Sequence, residues 1–508
     1  MYPGTYARTT PDMPAVVMTG SGRAITYREL DENSARLARL LHDAGLRRGD
    51  VLAMLSDNNV HCYEVYWAAM RSGLYLTAVN HHLSADEAAY IVNDCGARAI
   101  VVSGGVGSLA QAVAAVTPGV GIRLAYDGPV AGHGDYEDAL KAASAARLPA
   151  QPAGADMLYS SGTTGRPKGV RAELPDREVD DPGNTMVAVF GAIYGFDGDA
   201  RYLSPAPVYH AAPLRYGGLV HATGGTVLMM EHFDAEKALA AIEKYRATHT
   251  QWVPTMFIRA LKLPAETRAK YDLSSLRIAI HAAAPCPVEV KRAMIDWWGP
   301  ILHEYYGATE GNGVTLIDSA QWLAKPGSVG RAALGVLHIC DDSGAELPTG
   351  GIGTVYFERD ELPFRYHGDD DKTREAQHPA HELWTTTGDV GYLDEDGFLF
   401  LTDRKAFMII SGGVNIYPQE VEDALALHPK VDDVAVIGLP DEDLGDQVKA
   451  VVQAAPGVPV GPELEAELIE FVRARIAHYK APRSIDFVDA LPRTPTGKLV
   501  KRLLMARY

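Results

Sequence analysis

The chain has 508 residues, 47% of them hydrophobic, with 47 Lys and Arg against 65 Asp and Glu and a formal net charge of −18. That length buries more than one core and predicts more than one domain. The acidic balance excludes bulk nucleic-acid binding, and no apolar segment is long enough to span a membrane. Four scattered cysteines, Cys62, Cys95, Cys286 and Cys340, form no CxxC pair and read as reduced thiols of a cytoplasmic protein. No basic stretch followed by an apolar one marks a signal peptide at the N-terminus.

The elements begin with Ile25 to Tyr27 leading into a helix from Arg28 to Ala44, whose apolar residues Leu30, Ala35, Leu37, Ala38, Leu40 and Leu41 share a face. Residues 50–55 read as a buried strand. Ser84 with Glu87 forms a capping box that opens a helix toward Asp94, and residues 99–102 are the next strand. This alternation predicts a parallel or mixed α/β sheet. Residues 174–200, rich in Asp, Gly and Pro, are expected to form an exposed loop. The rhythm resumes with a strand at 225–230, a helix at 235–245 and a strand at 250–254. Residues 330–402 read as β-rich, with turns at Asp341-Asp342-Ser343-Gly344 and Asp394-Glu395-Asp396-Gly397. After Arg404 the pattern becomes a compact α+β unit with strands at 434–438 and 449–453 and an amphipathic helix at 463–478. There are no internal repeats. From residue 473 to the end, nine Lys and Arg stand against Asp486 and Asp489 alone, a local basic region suited to a specific polyanion.

Between Tyr159 and Gly169 lies Ser160-Ser161-Gly162-Thr163-Thr164-Gly165-Arg166-Pro167-Lys168. Glycines let backbone N–H groups turn toward a ligand, and hydroxyls and cations add donors, a combination suited to a polyphosphate. It is not a Walker A loop, because no Gly-Lys-Ser/Thr follows four residues after a glycine. A second stretch is Tyr305-Tyr306-Gly307-Ala308-Thr309-Glu310. There an aromatic can cover a base, a hydroxyl can reach a phosphate, and a carboxylate can hold Mg²⁺ with phosphate oxygens. Upstream lies the small-residue segment Ala282-Ala283-Ala284-Pro285. Further on, a hairpin folded symmetrically about the Asp394–Gly397 turn brings Asp389, expected opposite position 402, to the same end as Arg404. A salt bridge and a ribose site are both readings of that pair. Glycines Gly412 and Gly413 follow in Ser411 to Pro418, and Pro492-Arg493-Thr494-Pro495-Thr496-Gly497-Lys498 closes the series.

In this order the motifs resemble those of the acyl-adenylate-forming superfamily, in its acyl-CoA synthetase or fatty-acid–CoA ligase branch, over essentially the full chain. The resemblance implies an α/β fold. It comprises a large N-terminal, multi-lobed domain of mixed sheets with helices and a β-rich lobe (1–403), and a small mobile α+β C-terminal domain (404–508) hinged near 404–407. It implies that Ser160 to Gly165 and Lys168 hold the phosphates. Ala283, Ala284, Pro285, Tyr305, Tyr306 and Gly307 would receive the nucleotide, with Thr309 at the phosphates and Glu310 on the metal. Asp389 and Arg404 would take the ribose, Lys498 would serve as the catalytic lysine, and Gly412 and Gly413 would line the thiol channel. Where the family's hinge usually has Asp or Lys, this chain has Ala406.

The implied reaction forms acyl-AMP and then an acyl-CoA thioester, with ATP, Mg²⁺ and coenzyme A. An acyl pocket is expected near Tyr209-His210, Gly217-Gly218, Trp252 to Thr255 and Ala282 to Ala284. His210 is expected to position or gate, and Trp252 is a candidate for the pocket base. Small and apolar residues there favour a hydrophobic acid, medium- or long-chain fatty or bulky cyclic. The competing readings are an enzyme loading a carrier-protein thiol, a luciferase-like oxygenase and a non-catalytic nucleotide-binding protein. The partners expected are small molecules and no nucleic acid, in a monomer or homodimer.

Overall fold

The computed structural model describes residues 2–144, 146–160, 167–404, 407–411, 414–441, 445–493 and 499–508; at 160, 403, 404, 415 and 502 it describes the backbone alone. Among the described residues the strands form four sheets. A nine-stranded sheet has the central parallel run Leu302–Gly307, Ile278–His281, His249–Trp252, Arg201–Ser204, Thr226–Met229 and Pro14–Met18. An eight-stranded sheet is parallel through Tyr75–Val79, Val51–Leu55 and Ala97–Ser103 and carries Ala155–Ser160 and Lys168–Arg171 toward one edge.

Alternation along the strands decides the layers. Leu52, Met54 and Leu76 share a core with Val16, Tyr202 and Ile280 of the other sheet, and with Leu30, Leu37, Tyr63, Trp67, Leu214 and Leu219 from three helices. Those helices, Tyr27–Asp43, Cys62–Met70 and Ala211–Thr223, therefore lie between the sheets. The outer face of the eight-stranded sheet, with Val51, Ala53 and Leu55, packs on Ala85–Asp94 and Gly107–Ala115. Leu203, Trp252, Ala279 and Leu302 face the helices Ala235–Tyr245, Pro254–Leu261 and Val288–Trp298. The expected Ser84–Glu87 capping box is present, and the first long helix has another, Thr26 with Glu29.

The β-rich region is a five-stranded sheet, Val336–Cys340, Gly353–Glu358, Asp389–Leu393 and Leu399–Arg404, with Trp384–Thr385 on Gly353–Glu358. A fourth sheet lies within 409–487: Ile409–Ser411, Val414–Ile416, Val431–Asp441, Gly445–Ala454 and Ser484–Phe487, with the helices Pro418–Ala426 and Pro462–Arg473 packed on it.

One sequence expectation is corrected here. The stretch 174–200 is not an exposed loop throughout. Val187–Gly191 and Ala192–Tyr194 are helical, and Phe190, Tyr194 and Phe196 are buried in the central core, because this half of the stretch is apolar. Three cations of the basic C-terminal region have acidic partners within the chain. Lys480 pairs with Glu420, Arg493 with Asp433, and Lys501 with Glu422. The partners come from earlier in the chain, where a local count of charge does not look.

Candidate active site

Strands Ala155–Ser160 and Lys168–Arg171 pair antiparallel, with Tyr159 opposite Gly169 and Ser160 opposite Lys168. The two strands that flank the Ser/Thr/Gly stretch are therefore neighbours in one sheet. Ser161, Gly162, Thr163, Thr164 and Gly165 lie outside the described residues, as does the side chain of Ser160. The root is held firmly. Tyr159 donates from its hydroxyl to Asp94 Oδ2 at 2.5 Å. A Cβ at Gly169 would stand 3.0 Å from the Tyr159 ring and 3.1 Å from His367, so a side chain at 169 would press on both neighbours.

Lys168, at the far root, places its ammonium 5.2 Å from the centre of the Tyr366 ring. Tyr366 sits on Arg365–Tyr366, the strand paired to Lys168–Arg171, and its hydroxyl donates to Glu310 Oε1 at 3.0 Å. A cation, a phenol and a carboxylate from three separate segments thus stand in one row. Burial and the nearby Lys372 hold the Lys168 ammonium below its ordinary value, while Asp369, Glu375 and Glu310 pull it the other way. Glu310 offers hard oxygen, the donor type that Mg²⁺ takes alongside phosphate oxygens.

Four residues before Glu310, Tyr306 stands next to last in strand Leu302–Gly307. Its hydroxyl donates to Asp389 Oδ2 at 2.7 Å, and Thr387 Oγ1 donates to the same oxygen at 2.8 Å. Asp389 is opposite Arg404, not opposite 402: the hairpin pairs Leu393 with Leu399, one residue beyond the symmetric register, and a bulge between Val390 and Gly391 adds a second residue to the partner strand. The pair therefore sits side by side in the backbone; the Arg404 side chain lies outside the described residues.

Tyr305 points to the other face of its strand. Its ring lies 5.7 Å from Phe190 and 5.9 Å from Tyr216, and its hydroxyl accepts from Gln251 Nε2 at 3.3 Å. Gly307 pairs with Val314, and a Cβ there would meet the Gly313 carbonyl at 3.3 Å. The carbonyl of Thr309 accepts from Arg215 Nη2 at 3.2 Å, and Arg215 is locked to Asp156 by two bonds of 2.8 and 2.7 Å. Sequence reasoning passed over Arg215 and Tyr366. An arginine inside the largely apolar helix Ala211–Thr223 was a usable signal; Tyr366 gave none.

The segment after strand Ile278–His281 exposes Ala283, Ala284 and Pro285. Ala283 adopts φ 75°, left-handed backbone that costs a residue with a Cβ roughly 1–2 kcal/mol. Such strain persists only where the surroundings fix it, and it concentrates at functional sites. His210 caps Ala211–Thr223 with extended backbone, its ring 4.5 Å from that of Tyr209.

The expected acyl-pocket lining is partly corrected. A Cβ on Gly217 would fall 1.7 Å from the Tyr63 hydroxyl oxygen, and one on Gly218 2.6 Å from that of Tyr66. These glycines admit the helix Cys62–Met70, not a ligand. Trp252 is 1% exposed, donates to Thr250 Oγ1 at 2.6 Å and packs among Phe257 and Trp298. It lies on the opposite face of its strand from Gln251, so it closes no pocket on the Tyr305 side.

In the C-terminal part, Gly412, Gly413, Ala406 and Lys498 lie outside the described residues. Their flanks are defined. Ser411 pairs with Val414, and Arg493, held by Asp433 Oδ1 at 2.6 Å, bridges to Leu499.

Comparison with known proteins places residues 5–365 in the AMP-binding enzyme family and residues 420–498 in the AMP-binding enzyme C-terminal domain. A feruloyl-CoA synthase of an Amycolatopsis species is 34% identical over 100% of this chain and 98% of its own. A long-chain-fatty-acid–CoA ligase of Mycobacterium tuberculosis is 30% identical over 99% of this chain and 97% of its own. Among solved structures, an amide bond synthetase from Marinactinospora thermotolerans superposes with a TM-score of 0.82 at 28% identity, covering 100% of this chain and 99% of that one.

Proposed function

The chain belongs to the AMP-binding enzyme family, in its acyl-CoA synthetase branch, and on that premise we propose that it joins a hydrophobic carboxylic acid to coenzyme A through an acyl-AMP intermediate. The observation that carries this reading is the pairing of Tyr306 with Asp389 and of Glu310 with Tyr366, whose ring stands beside the Lys168 ammonium. Tyr306, near the end of strand Leu302–Gly307, and Glu310, just beyond it, thereby join a carboxylate suited to ribose hydroxyls to a cation and a carboxylate suited to phosphates and their metal.

In the first half-reaction a carboxylate oxygen of the acid attacks the α-phosphorus of ATP. The bond to the β-phosphate oxygen breaks, and pyrophosphate leaves with that electron pair. In the second, the CoA sulfur attacks the acyl carbon, AMP leaves, and the thiol proton is released. Glu310 would hold Mg²⁺, which neutralises phosphate charge when bound. Asp389 and Arg404 orient the ribose, and the segment Ala283 to Pro285 with Tyr306 receives the base. His210, at the N-terminus of Ala211–Thr223, orients the acid. Lys498 donates to the charge gathering between carboxylate and α-phosphate. Residues 404–508 turn as a unit about 404–407 between the half-reactions, presenting Lys498 to the first and Gly412 and Gly413 to the second. The aromatic wall of Phe190, Tyr216 and Tyr305 supports a hydrophobic acid, fatty or cyclic.

The test is a panel of aliphatic and aromatic carboxylic acids, assayed for ATP-dependent pyrophosphate release with CoA, with a phosphopantetheinyl carrier protein, or with neither. Turnover with CoA on a hydrophobic acid is expected. Turnover only with the carrier, or no pyrophosphate release with any acid, overturns the proposal.

A further inference from the structure

Beneath the Ala282–Pro285 turn lies a buried charged group outside the site described above. Lys291, in the helix Val288–Trp298, is wholly buried and donates from Nζ to Glu304 Oε2 at 2.5 Å. Its helix neighbours Val290, Met294 and Ile295 are apolar core. Its ammonium also lies 5.0 Å over the ring of Trp322, itself 1% exposed. Glu304 is directly opposite His281 in the strand register, and His281 Nε2 stands 3.7 Å from Glu304 Oε2. Both His281 ring nitrogens are buried without a hydrogen bond, and burial, with Lys291 nearby, keeps the ring neutral. The Cys286 thiol, one residue past the turn, is pushed up by burial and by Glu304.

Stability does not explain this arrangement. Taking two charges out of water costs more than their attraction regularly returns, and a well-packed apolar pair of similar volume does as well or better. A lysine at a fully buried helix position is a rare choice. What the pair does supply is direction. Glu304 immediately precedes Tyr305 and Tyr306, His281 immediately precedes Ala282, and Lys291 stands in the first turns of the helix that leaves Pro285. The ion pair thus ties two of the three segments that frame the strained Ala283 backbone, and His281, on the third, stands beside it.

We propose that Lys291 and Glu304, with His281 beside them, are positioning residues that fix the Ala282–Pro285 turn against the end of strand Leu302–Gly307, so that the turn is preformed for the base of the nucleotide. The inference rests on the reading of that turn as the base-binding segment. It assigns a role in nucleotide affinity to a pair that touches no substrate.

The single variant Lys291→Met strands a buried carboxylate and is expected to melt early. The informative variant is the double substitution Lys291→Met with Glu304→Met, which removes both charges at similar volume. It is expected to keep the parent's melting temperature within a few degrees. By calorimetry it should bind ATP more weakly, on the order of tenfold or more, as small displacements of binding groups do. In steady state the KM for ATP should rise while kcat and the KM for the acid hold. A folded double variant with ATP affinity within twofold of the parent overturns the inference. So does a loss confined to kcat, which a merely structural disturbance would give. A parent that binds ATP but activates no acid refutes the ligase reading alone, since calorimetry still decides the role of the pair. A parent that binds no ATP overturns both.

Discussion

Tyr306 and Asp389, 83 residues apart, are joined by a 2.7 Å hydrogen bond that spans two sheets. Tyr306 is next to last in a strand of the nine-stranded sheet, and Asp389 begins a strand of the five-stranded one. The bond sets the distance between the segment that carries Glu310 and the hairpin that carries Arg404. Asp389 also receives Thr387 on the same oxygen, so its carboxylate is oriented before any ligand arrives.

Asp389→Ala is expected to weaken ATP binding by about 1.5–3 kcal/mol, the worth of hydrogen bonds to a charged acceptor. Affinity for the acid should be little changed. Tyr306→Phe keeps the carboxylate and loses one donor to it, so the loss should be smaller, about 0.5–1.5 kcal/mol. Calorimetry on both variants checks the order; equal affinities across parent and variants would remove the ribose role.

Glu310 and Tyr366 give a graded pair. Tyr366→Phe removes the phenol that orients the carboxylate and should raise the Mg²⁺ concentration for half-maximal pyrophosphate release by about tenfold, as loss of a supporting partner does. Glu310→Gln removes the hard anionic oxygen itself and should raise it further. Magnesium titrations superimposing on the parent's would dissociate Glu310 from the metal.

Lys498→Ala should slow acyl-AMP formation by on the order of 10²–10³, the usual cost of a preorganised donor to developing charge. Thioester formation from supplied acyl-AMP and CoA should persist, because the lysine serves only the first orientation. Equal loss in both half-reactions of a folded variant would argue for a structural or shared role.

His221 gives the fold a pH dependence. Burial holds it down to about 3, against an ordinary value of 6.5, while it accepts from Trp67 Nε1 at 3.2 Å and donates from Nε2 to the Ala15 carbonyl at 3.0 Å. Its folded-state value is depressed, so below pH 6.5 the unfolded chain binds the proton and the folded chain does not. The stability it allows is complete above that pH and declines as pH falls toward 3, by up to about 1.4 kcal/mol per unit. Urea unfolding at pH 5 to 7 should show a shallower slope for His221→Gln by up to that amount. Parallel slopes would mean that another group carries the acid sensitivity.

Much of this protein was legible along the chain because local physics wrote it there. The capping box of Ser84 and Glu87, the alternation that splits Leu52 and Met54 from Val51, Ala53 and Leu55, and the turn at Asp394 to Gly397 are each decided within a few residues. The order of motifs from Ser160 to Lys498 likewise needs no coordinates. Other features depend on which strands become neighbours. Tyr366 meets Glu310 across 56 residues of chain, Arg215 meets Asp156 across 59, and Gly217 makes room for Tyr63 of a helix packed against it. A one-residue offset at the turn and a one-residue bulge together move Asp389 from the expected position 402 to Arg404. Trp252 reads as a pocket base in sequence but faces the other way, because each residue along a strand changes sides and only the packed sheet says which side is the site. The sequence by itself determined the chemistry available; the tertiary structure decided which groups share a site, because contacts between distant segments follow from sheet order and layer packing, which no local pattern encodes.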